Sequence, residues 1–287
     1  MTPETTARLI IRCPDKPGIV AAVCSFFYNH GANITSLDQY STDPEDGTFF
    51  MRVEFQTPHL DVSRPILERI FGDTIGTRYE MDWRMAYAAE PKKMALMVSK
   101  YDHALLELLW RWSRGGLHAD VTMVISNHPD MRGNVELFNV PYHHVPVTKE
   151  TKTDAEAQIL DLLQGNADVI VLARYMQILT DNFVSHYPNR IINIHHSFLP
   201  AFVGAKPYQQ AAERGVKLIG ATAHYVTADL DQGPIIEQDV IRVTHRHTVE
   251  ELKALGQTIE RIVLARAVKW HLEDRIIVHG NKTVAFA

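Results

Sequence analysis

The segment at residues 190–200 contains the side chains whose types and spacing best suit catalysis. Asn193 and His195 are separated by one residue, so on an extended backbone both side chains project from the same face. A carboxamide donor beside an imidazole can stabilise a developing oxyanion. Ser197 continues that face if the chain stays extended, whereas His196 points the other way. An Asn-x-His pair by itself is a weak signal, because polar residues often end a strand.

A polar loop further along the chain carries two aspartates, Asp229 and Asp231. An aspartate that approached His195 would stabilise the protonated imidazole and could position or deprotonate a water molecule. The spacing alone leaves open which aspartate does this. A metal site made by His195 and His196 with His224, His245 or His247 is a weaker interpretation. Adjacent histidines on a strand point apart, and no Cys or Glu stands at a zinc-ligand spacing.

The elements that position these residues fall into two segments that meet near residues 90–93. In the first, a turn at 43–47 joins two β-rich runs into a hairpin. The predicted order is βαββαβ, the ferredoxin-like plan. The strands cover residues 7–12, 33–41, 48–56 and 78–87, and the helices cover 18–29 and 62–71.

In the second segment short apolar strands alternate with helices, which indicates a Rossmann-like, mostly parallel sheet. Ligands of open parallel sheets bind beyond the carboxyl ends of the strands, here just after residue 173 and at 193–195. We expect an N-cap at Thr153 or Asp154 for the second helix. The strands cover 94–99, 121–126, 169–173, 191–195, 218–226 and 234–243, the helices 104–112, 155–163 and 249–271, and a last hairpin 275–286.

The composition excludes several classes of protein. Of the 287 residues, 46% are hydrophobic and 22% are charged, as in globular proteins, and the net charge of -5 is spread without a basic face. We therefore expect no nucleic-acid or membrane partner. No Gly-x-Gly-x-x-Gly follows the strand at 94–99, which argues against a dinucleotide-dependent oxidoreductase. With neither a secretory leader nor an apolar run of membrane length, the expected location is the cytoplasm.

Three stretches, at 193–202, 204–208 and 219–226, resemble the folate-dependent formyltransferase fold family, and the resemblance is closest to formyltetrahydrofolate deformylases. The N-terminal part resembles an ACT domain, and the rest resembles the formyl-transfer domain. The resemblance therefore implies an α/β chain with an ACT-like regulatory or oligomerisation domain at 1–88 and a catalytic domain at 89–287.

The resemblance also implies a reaction and a catalytic trio. The family has an Asn, a His two residues later and an Asp before a Gly-Pro turn, which are Asn193, His195 and Asp231 here. The implied reaction is hydrolysis of 10-formyltetrahydrofolate to formate and tetrahydrofolate through a tetrahedral intermediate. Asn193 and His195 would stabilise the oxyanion, and Asp231 would orient water and His195. Neither a metal nor a further cofactor is expected.

Further ligand contacts follow from the same resemblance. Gln177 stands where related sequences often have arginine, which weakens the expectation of an ionic contact with the glutamate tail of the folate. The ACT-like part implies a homo-oligomer, and either an amino-acid sensor or a pure dimerisation module. The implied folate contacts are Tyr175, Met176, Gln177, Ile178, Leu179, Ser197, Ala228, Asp229 and Leu230, and the possible effector site comprises Asp15, Gly18, Asn33 and Ile34.

The main alternative is a formyltransferase that acts on an amine such as glycinamide ribonucleotide. Transformylases of that kind hold the phosphate in a Gly-Ser-Asn loop after the first strand, where glycines let backbone N–H groups converge on an anion. The corresponding stretch here, 99–103, has no glycine, and Asp102 would repel phosphate. This favours water as the acceptor, although Lys100 alone could hold a phosphate. A non-enzymatic ACT regulator would not need the trio. The roles of His196 and Tyr208 are left open.

Overall fold

The computed structural model describes residues 3–43, 45–200 and 207–287. Pro44 of the predicted hairpin turn and residues 201–206 of the resemblance therefore lie outside the described residues. The chain divides into two compact units, which are Met1–Pro91 with Asp274–Ile277 and Val284–Ala287, and Lys92–Glu273 with Val278–Thr283. The domain boundary between residues 88 and 89 stays a prediction.

The first unit has the predicted ferredoxin-like order. Its strands are β1 (Thr6–Pro14), β2 (Asn33–Ser41), β3 (Thr48–Gln56) and β4 (Asp82–Tyr87), and its helices are α1 (Ile19–Asn29) and α2 (Arg64–Phe71). The sheet order is β2-β3-β1-β4, with antiparallel pairing throughout. Apolar side chains from one face of this sheet, such as Leu9 and Val53, pack against Phe27 and Phe71 of the helices. This packing confirms the fold predicted for the N-terminal segment.

The last strand of this unit begins at Asp82, so the predicted start at residue 78 is wrong. The chain continues from α2 through a π-helical turn at Gly72–Gly76 instead of extending. It then reverses at Glu80, whose φ of 54° lies in the left-handed region. The ring of Trp83 packs edge-on against Phe71, with the centroids 4.8 Å apart. The position of the reversal therefore depends on tertiary packing.

The second unit contains a sheet of seven strands in the order β11-β10-β9-β8-β5-β6-β7. All neighbours pair in parallel except β10, which is antiparallel to both β9 and β11. The interior strand β5 is fully buried from Met94 to Val98, as the continuous apolar run predicts. The strands are β5 (Lys92–Val98), β6 (Ala119–Ser126), β7 (Tyr142–His144), β8 (Val169–Leu172), β9 (Ile191–His195), β10 (Leu218–Tyr225) and β11 (Ile235–Arg242).

Six helices in the described part of this unit accompany the sheet. The helix α5 begins after Thr151, so the predicted N-caps at Thr153 and Asp154 are wrong. Thr248 and Glu251 form a capping box at the start of the long helix α8, and this helix packs on β9, β10 and β11. The helices are α3 (His103–Ser113), α4 (Arg132–Glu136), α5 (Lys152–Leu163), α6 (Asp181–Ser185), α7 (Pro207–Arg214) and α8 (Val249–Leu272), and the C-terminal hairpin is β12 (Ile276–His279) with β13 (Lys282–Ala285).

The pairing of β9 with β10 brings distant residues together. In this antiparallel pair His224 lies opposite Asn193, and Thr222 lies opposite His195. Because side chains alternate along a strand, opposite residues share one face of the sheet. Asn193 and His224 are therefore direct neighbours, although 30 residues separate them in the chain.

Candidate active site

Asn193, His195 and Asp231 come together at the carboxyl end of β9, and His224 joins them. One carboxylate oxygen of Asp231 lies 3.2 Å from Nδ1 of His195, and the other lies 3.5 Å from Nε2 of His224. Nδ2 of Asn193 is 3.3 Å from the same Nε2 of His224. Both histidines are buried, and Asp231 is 13% exposed. Of the two aspartates that the spacing left open, Asp231 is therefore the one that contacts His195.

The loop after β10 holds Asp231 in place through an unusual backbone. Asp231 has a φ of 55°, in the left-handed region that few residues other than glycine adopt. Two residues later, a Cβ on Gly233 would lie 1.8 Å from the carbonyl oxygen of Tyr225. Glycine is therefore required for this loop to lie so close to β10. The backbone N–H of Tyr225 donates to the carbonyl of Pro234 at 2.9 Å and closes the loop.

Burial and neighbouring groups shift the pKa values of Asp231 and His196 in this site. Burial opposes ionisation of Asp231, but hydrogen bonds from His195 and His224 outweigh it and hold the pKa of this carboxyl well below its ordinary value. Burial, together with the neighbouring charges of Arg174 and His195, lowers the pKa of His196 to about 4. At neutral pH the site therefore contains a carboxylate at Asp231 and an uncharged imidazole at His196.

The two ring nitrogens of His195 have different surroundings. Nδ1 faces Asp231, whereas Nε2 is buried and has no hydrogen-bond partner among the described residues. His195 also lines a cavity of about 310 Å³. Nε2 therefore keeps a hydrogen-bonding capacity that no described protein group satisfies. Because Asn193 lines the same cavity, an amide donor and an imidazole can act on one bound atom.

The rest of the cavity is formed mainly by two loops, one after β8 and one after β10. Met176, Ile178 and Leu230 are each more than half exposed at its rim, which suits a flat aromatic ligand. Ser197 and Asp229 are not among the described residues that line it. The predicted folate contacts that do line it are Tyr175, Met176, Gln177, Ile178, Leu179, Ala228 and Leu230.

Both ends of the loop at residues 175–180 are tied to neighbouring elements. The hydroxyl of Ser99 accepts a hydrogen bond from the backbone N–H of Met176 at 2.9 Å. At the other end Glu156 of α5 accepts hydrogen bonds from the backbone N–H of Thr180 at 3.1 Å and from its hydroxyl. Glu156 was not predicted as a functional residue from the sequence. The available signal was its position in the apolar stripe of α5 with Ile159, where a carboxylate needs a partner.

The predicted direction of His196 is wrong. The strand β9 ends at His195, so the alternation of an extended chain no longer applies to the next residue. The two rings stack instead, with centroids 5.0 Å apart and planes at 23°. His196 lines the cavity beside His195. For the same reason Ser197 does not continue the face of Asn193. The backbone carbonyl of Ser197 accepts a hydrogen bond from the hydroxyl of Thr222 at 2.9 Å.

The first unit has a cavity of its own, of about 650 Å³, at the N-terminus of α1. Two residues of the predicted effector site, Asp15 and Gly18, line it. Asp15 accepts a hydrogen bond of 2.6 Å from the hydroxyl of Ser41. The other two, Asn33 and Ile34, lie on β2 and do not line this cavity. The structure therefore brings half of the predicted effector residues together.

Two further observations concern the described part of the chain. None of its helices combines the length and the apolar character that crossing a membrane requires. Within the same ranges, no three or more histidine, cysteine, aspartate or glutamate side chains are grouped as they would be around a metal ion.

Comparisons with known proteins place the chain in a family. Residues 92–268 match the formyl transferase family model, and residues 7–72 match that of the ACT domain. The formyltetrahydrofolate deformylase of Bacillus subtilis (strain 168) is 56% identical over 99% of this chain and 94% of the relative. The crystal structure of a formyltetrahydrofolate deformylase from Pseudomonas syringae has a TM-score of 0.94 and 49% identity, covering 98% of this chain and 94% of that one.

A glycinamide ribonucleotide transformylase from Symbiobacterium toebii is similar to a smaller part of the chain. Its structure has a TM-score of 0.64 and 30% identity, and the match covers 69% of this chain and 95% of the other. The match to the deformylases, in contrast, extends over nearly the whole length, with an ACT domain ahead of the formyl transferase domain. The chain belongs to the formyltetrahydrofolate deformylase family.

Proposed function

We propose that this chain hydrolyses 10-formyltetrahydrofolate to formate and tetrahydrofolate. The observation that carries the proposal is the contact of Asp231 with His195, at a cavity that Asn193 and His195 both line, with Nε2 of His195 left without a hydrogen-bond partner among the described residues. Membership of the deformylase family supports the same substrate and the same reaction.

In the proposed mechanism a water oxygen attacks the formyl carbon and forms a tetrahedral intermediate. Its oxyanion accepts hydrogen bonds from the amide of Asn193 and from Nε2–H of His195. Removal of one such donor typically slows an enzyme by about 10²–10³-fold. Asp231 stabilises the imidazolium form of His195 and orients the water. The bond between the formyl carbon and N10 then breaks, and the proton lost by water reaches N10 through these groups.

The apolar rim at Met176, Ile178 and Leu230 is proposed to hold the pteridine ring of the folate. The backbone of the loop at 175–179 would hydrogen-bond to the ring edge, because Ser99 and Glu156 hold this loop in place. Contacts of the folate with Ser197 and Asp229 stay predictions.

The proposal includes neither a metal nor a further cofactor, since an amide donor, an imidazole and a carboxylate are sufficient for the hydrolysis. The ACT-like domain is proposed to bind an amino-acid effector at the cavity that Asp15 and Gly18 line, or else to serve in a homo-oligomer. A cytoplasmic location also remains an expectation from the sequence.

The proposal is tested by formate release from 10-formyltetrahydrofolate, with a chelator present and no amine added. We expect equal amounts of formate and tetrahydrofolate, and a loss of about 10²–10⁴-fold in His195→Ala, the range for a positioned acid-base group. Folate binding without formate release, followed by turnover only when an amine is supplied, would identify a transferase. Loss of activity on chelation would contradict the metal-free mechanism.

A further inference from the structure

Arg174 has a backbone conformation that needs an explanation. It follows β8 by two residues and has a φ of 65°, where glycine is the usual residue. A side chain held in the left-handed region costs on the order of 1 kcal/mol or more. Yet the side chain is only 11% exposed, so it is packed into the protein rather than extended into solvent. The buried arginine side chain therefore makes contacts that a glycine at this position could not make.

This side chain belongs to a buried group that we call the Glu260 cluster, formed by Glu260, Arg174, His103 and Tyr208. Glu260 of α8 is 1% exposed. Its carboxylate lies 2.8 Å from Nε2 of His103 and 3.6 Å from Nε of Arg174, and it accepts a hydrogen bond of 2.8 Å from the hydroxyl of Tyr208. A buried carboxylate with three polar neighbours holds all of them in defined positions.

The neighbouring residues leave room for this cluster and cover it. A Cβ on Gly256, one turn before Glu260 on α8, would lie 2.0 Å from the hydroxyl of Tyr208, so any larger residue there would displace this ring. On another side the guanidinium of Arg174 lies 5.1 Å from the ring centroid of Tyr101. Lys253 approaches the same ring at 5.2 Å. Tyr101 and His103 both come from the stretch 99–103.

The cluster adjoins the proposed catalytic site. The ring of Tyr208 lies 6.3 Å from that of His196, which in turn stacks on His195. Arg174 and His196 also line the same cavity as His195. The apolar rim that suits the folate ring is formed by other residues. The wall at Arg174 and His196 is therefore the part of the cavity beside His195 that is not assigned to the folate ring.

We propose that the Glu260 cluster fills the space an amine acceptor would occupy beside the formyl group, with Arg174 as the specificity-determining residue. The inference rests on the proposed hydrolysis and explains its choice of nucleophile. With water, the carbon–N10 bond breaks, N10 takes a proton, and formate leaves. With an amine, a new carbon–nitrogen bond would form, the amine would lose a proton to N10, and a formamide would leave. Water needs no room beyond the cavity, whereas an amine with a substituent does.

The test is Arg174→Gly, assayed with 10-formyltetrahydrofolate and glycinamide as the probe amine. Glycine relaxes the backbone at this position and empties the wall of the cavity. The assay measures formate and N-formylglycinamide from the same reaction. We expect the ratio of formamide to formate to rise by about ten- to a hundredfold over the unmodified chain, the range that pocket shape typically gives. Because both products come from the same folate complex, a change in folate KM does not alter this ratio.

The matched control is Asn189→Gly, which relaxes a backbone φ of 55° at an exposed position outside the cavity lining. Its product ratio should equal that of the unmodified chain. Arg174→Gly leaves Glu260 without its arginine partner, so the double variant with Glu260→Gln also removes the charge that Arg174 balanced. Tyr101→Ala opens the same wall from its partly exposed side and should give a smaller rise.

An unchanged product ratio in all folded variants would overturn the proposal. Loss of formate release in Arg174→Gly, without any formamide, would also overturn it, since Arg174 would then serve the hydrolysis itself. The proposed function is tested separately by the unmodified chain without amine. If that chain releases no formate, the hydrolysis fails, whatever the variants do.

Discussion

Replacing Asp231 by Asn removes one charge while changing little else. Asparagine has nearly the same shape and also tolerates the left-handed backbone found at this position. The carboxylate oxygens lie 3.2 Å from Nδ1 of His195 and 3.5 Å from Nε2 of His224, so the substitution takes a negative charge from between two imidazoles. Asp231→Asn therefore isolates the electrostatic role of this residue.

The size of the effect can be estimated from these contacts. A hydrogen bond to a charged group contributes about 1.5–3 kcal/mol. Asp231→Asn removes this contribution from the contact with Nδ1 of His195. Orientation and deprotonation of water are lost with the same group, and such groups contribute about 10²–10⁴-fold. The two losses overlap, so we expect kcat to fall by about 10³-fold. The KM for the folate should change little.

The same substitution changes the pH dependence of stability. Because the pKa of Asp231 is lower in the folded chain than in the unfolded chain, its contribution to folding is fully present above the ordinary value of about 3.9. That contribution is lost as the pH falls through the lower folded value. The difference in unfolding free energy between the unmodified chain and Asp231→Asn should therefore shrink in acid.

Two assays check this prediction. Formate release across neutral pH gives kcat and KM, and urea unfolding at several pH values from neutral to acid gives the stability difference. A fall in kcat of less than about tenfold would refute the catalytic reasoning, because it is below the range for a positioned acid-base group. A stability difference that stays constant down to the most acid pH would refute the electrostatic reasoning.

Three further substitutions test other parts of the site. Asn193→Ala should lower kcat by about 10²–10³-fold with little change in folate KM, since an oxyanion donor acts in the transition state; an effect confined to KM would contradict this role. Gly233→Ala should lower both activity and melting temperature, because its Cβ would meet a carbonyl oxygen at 1.8 Å, whereas Gly133→Ala, with open space around it, should alter neither. Glu156→Ala leaves two hydrogen-bond donors of Thr180 without an acceptor, so we expect a loss of about 1–3 kcal/mol in unfolding free energy and a raised folate KM. In contrast, Glu156→Gln should retain part of the unfolding free energy and part of the folate affinity. Equal effects of the two substitutions would show that these hydrogen bonds are unimportant.

Most regular elements could be predicted from local patterns. The strand β9 was predicted with its observed bounds, and the long helix α8 ends one residue after the predicted position. The helix α8 carries a periodic apolar pattern over 24 residues, whereas β9 is a short apolar run that ends at polar residues. The short elements α4, β7, α6 and α7 were not predicted, because segments of three to eight residues show little periodicity. The antiparallel direction of β10 was also not predicted, because an apolar run does not indicate whether its neighbouring strand is parallel or antiparallel.

By itself the sequence determined that Asn193 and His195 share one face, because alternation along a strand is a local property. Spacing left open which aspartate meets His195, and the family resemblance implied Asp231. The contact itself depends on the tertiary structure, through a loop that Gly233 lets close against β10. The part played by His224 was decided in the same way, since it depends on the register between β9 and β10. The Glu260 cluster joins residues from several separate elements, and spacing in the chain carries no information about such meetings. Contacts of this kind form only when the elements pack against one another, so they cannot be read from the motifs of the sequence.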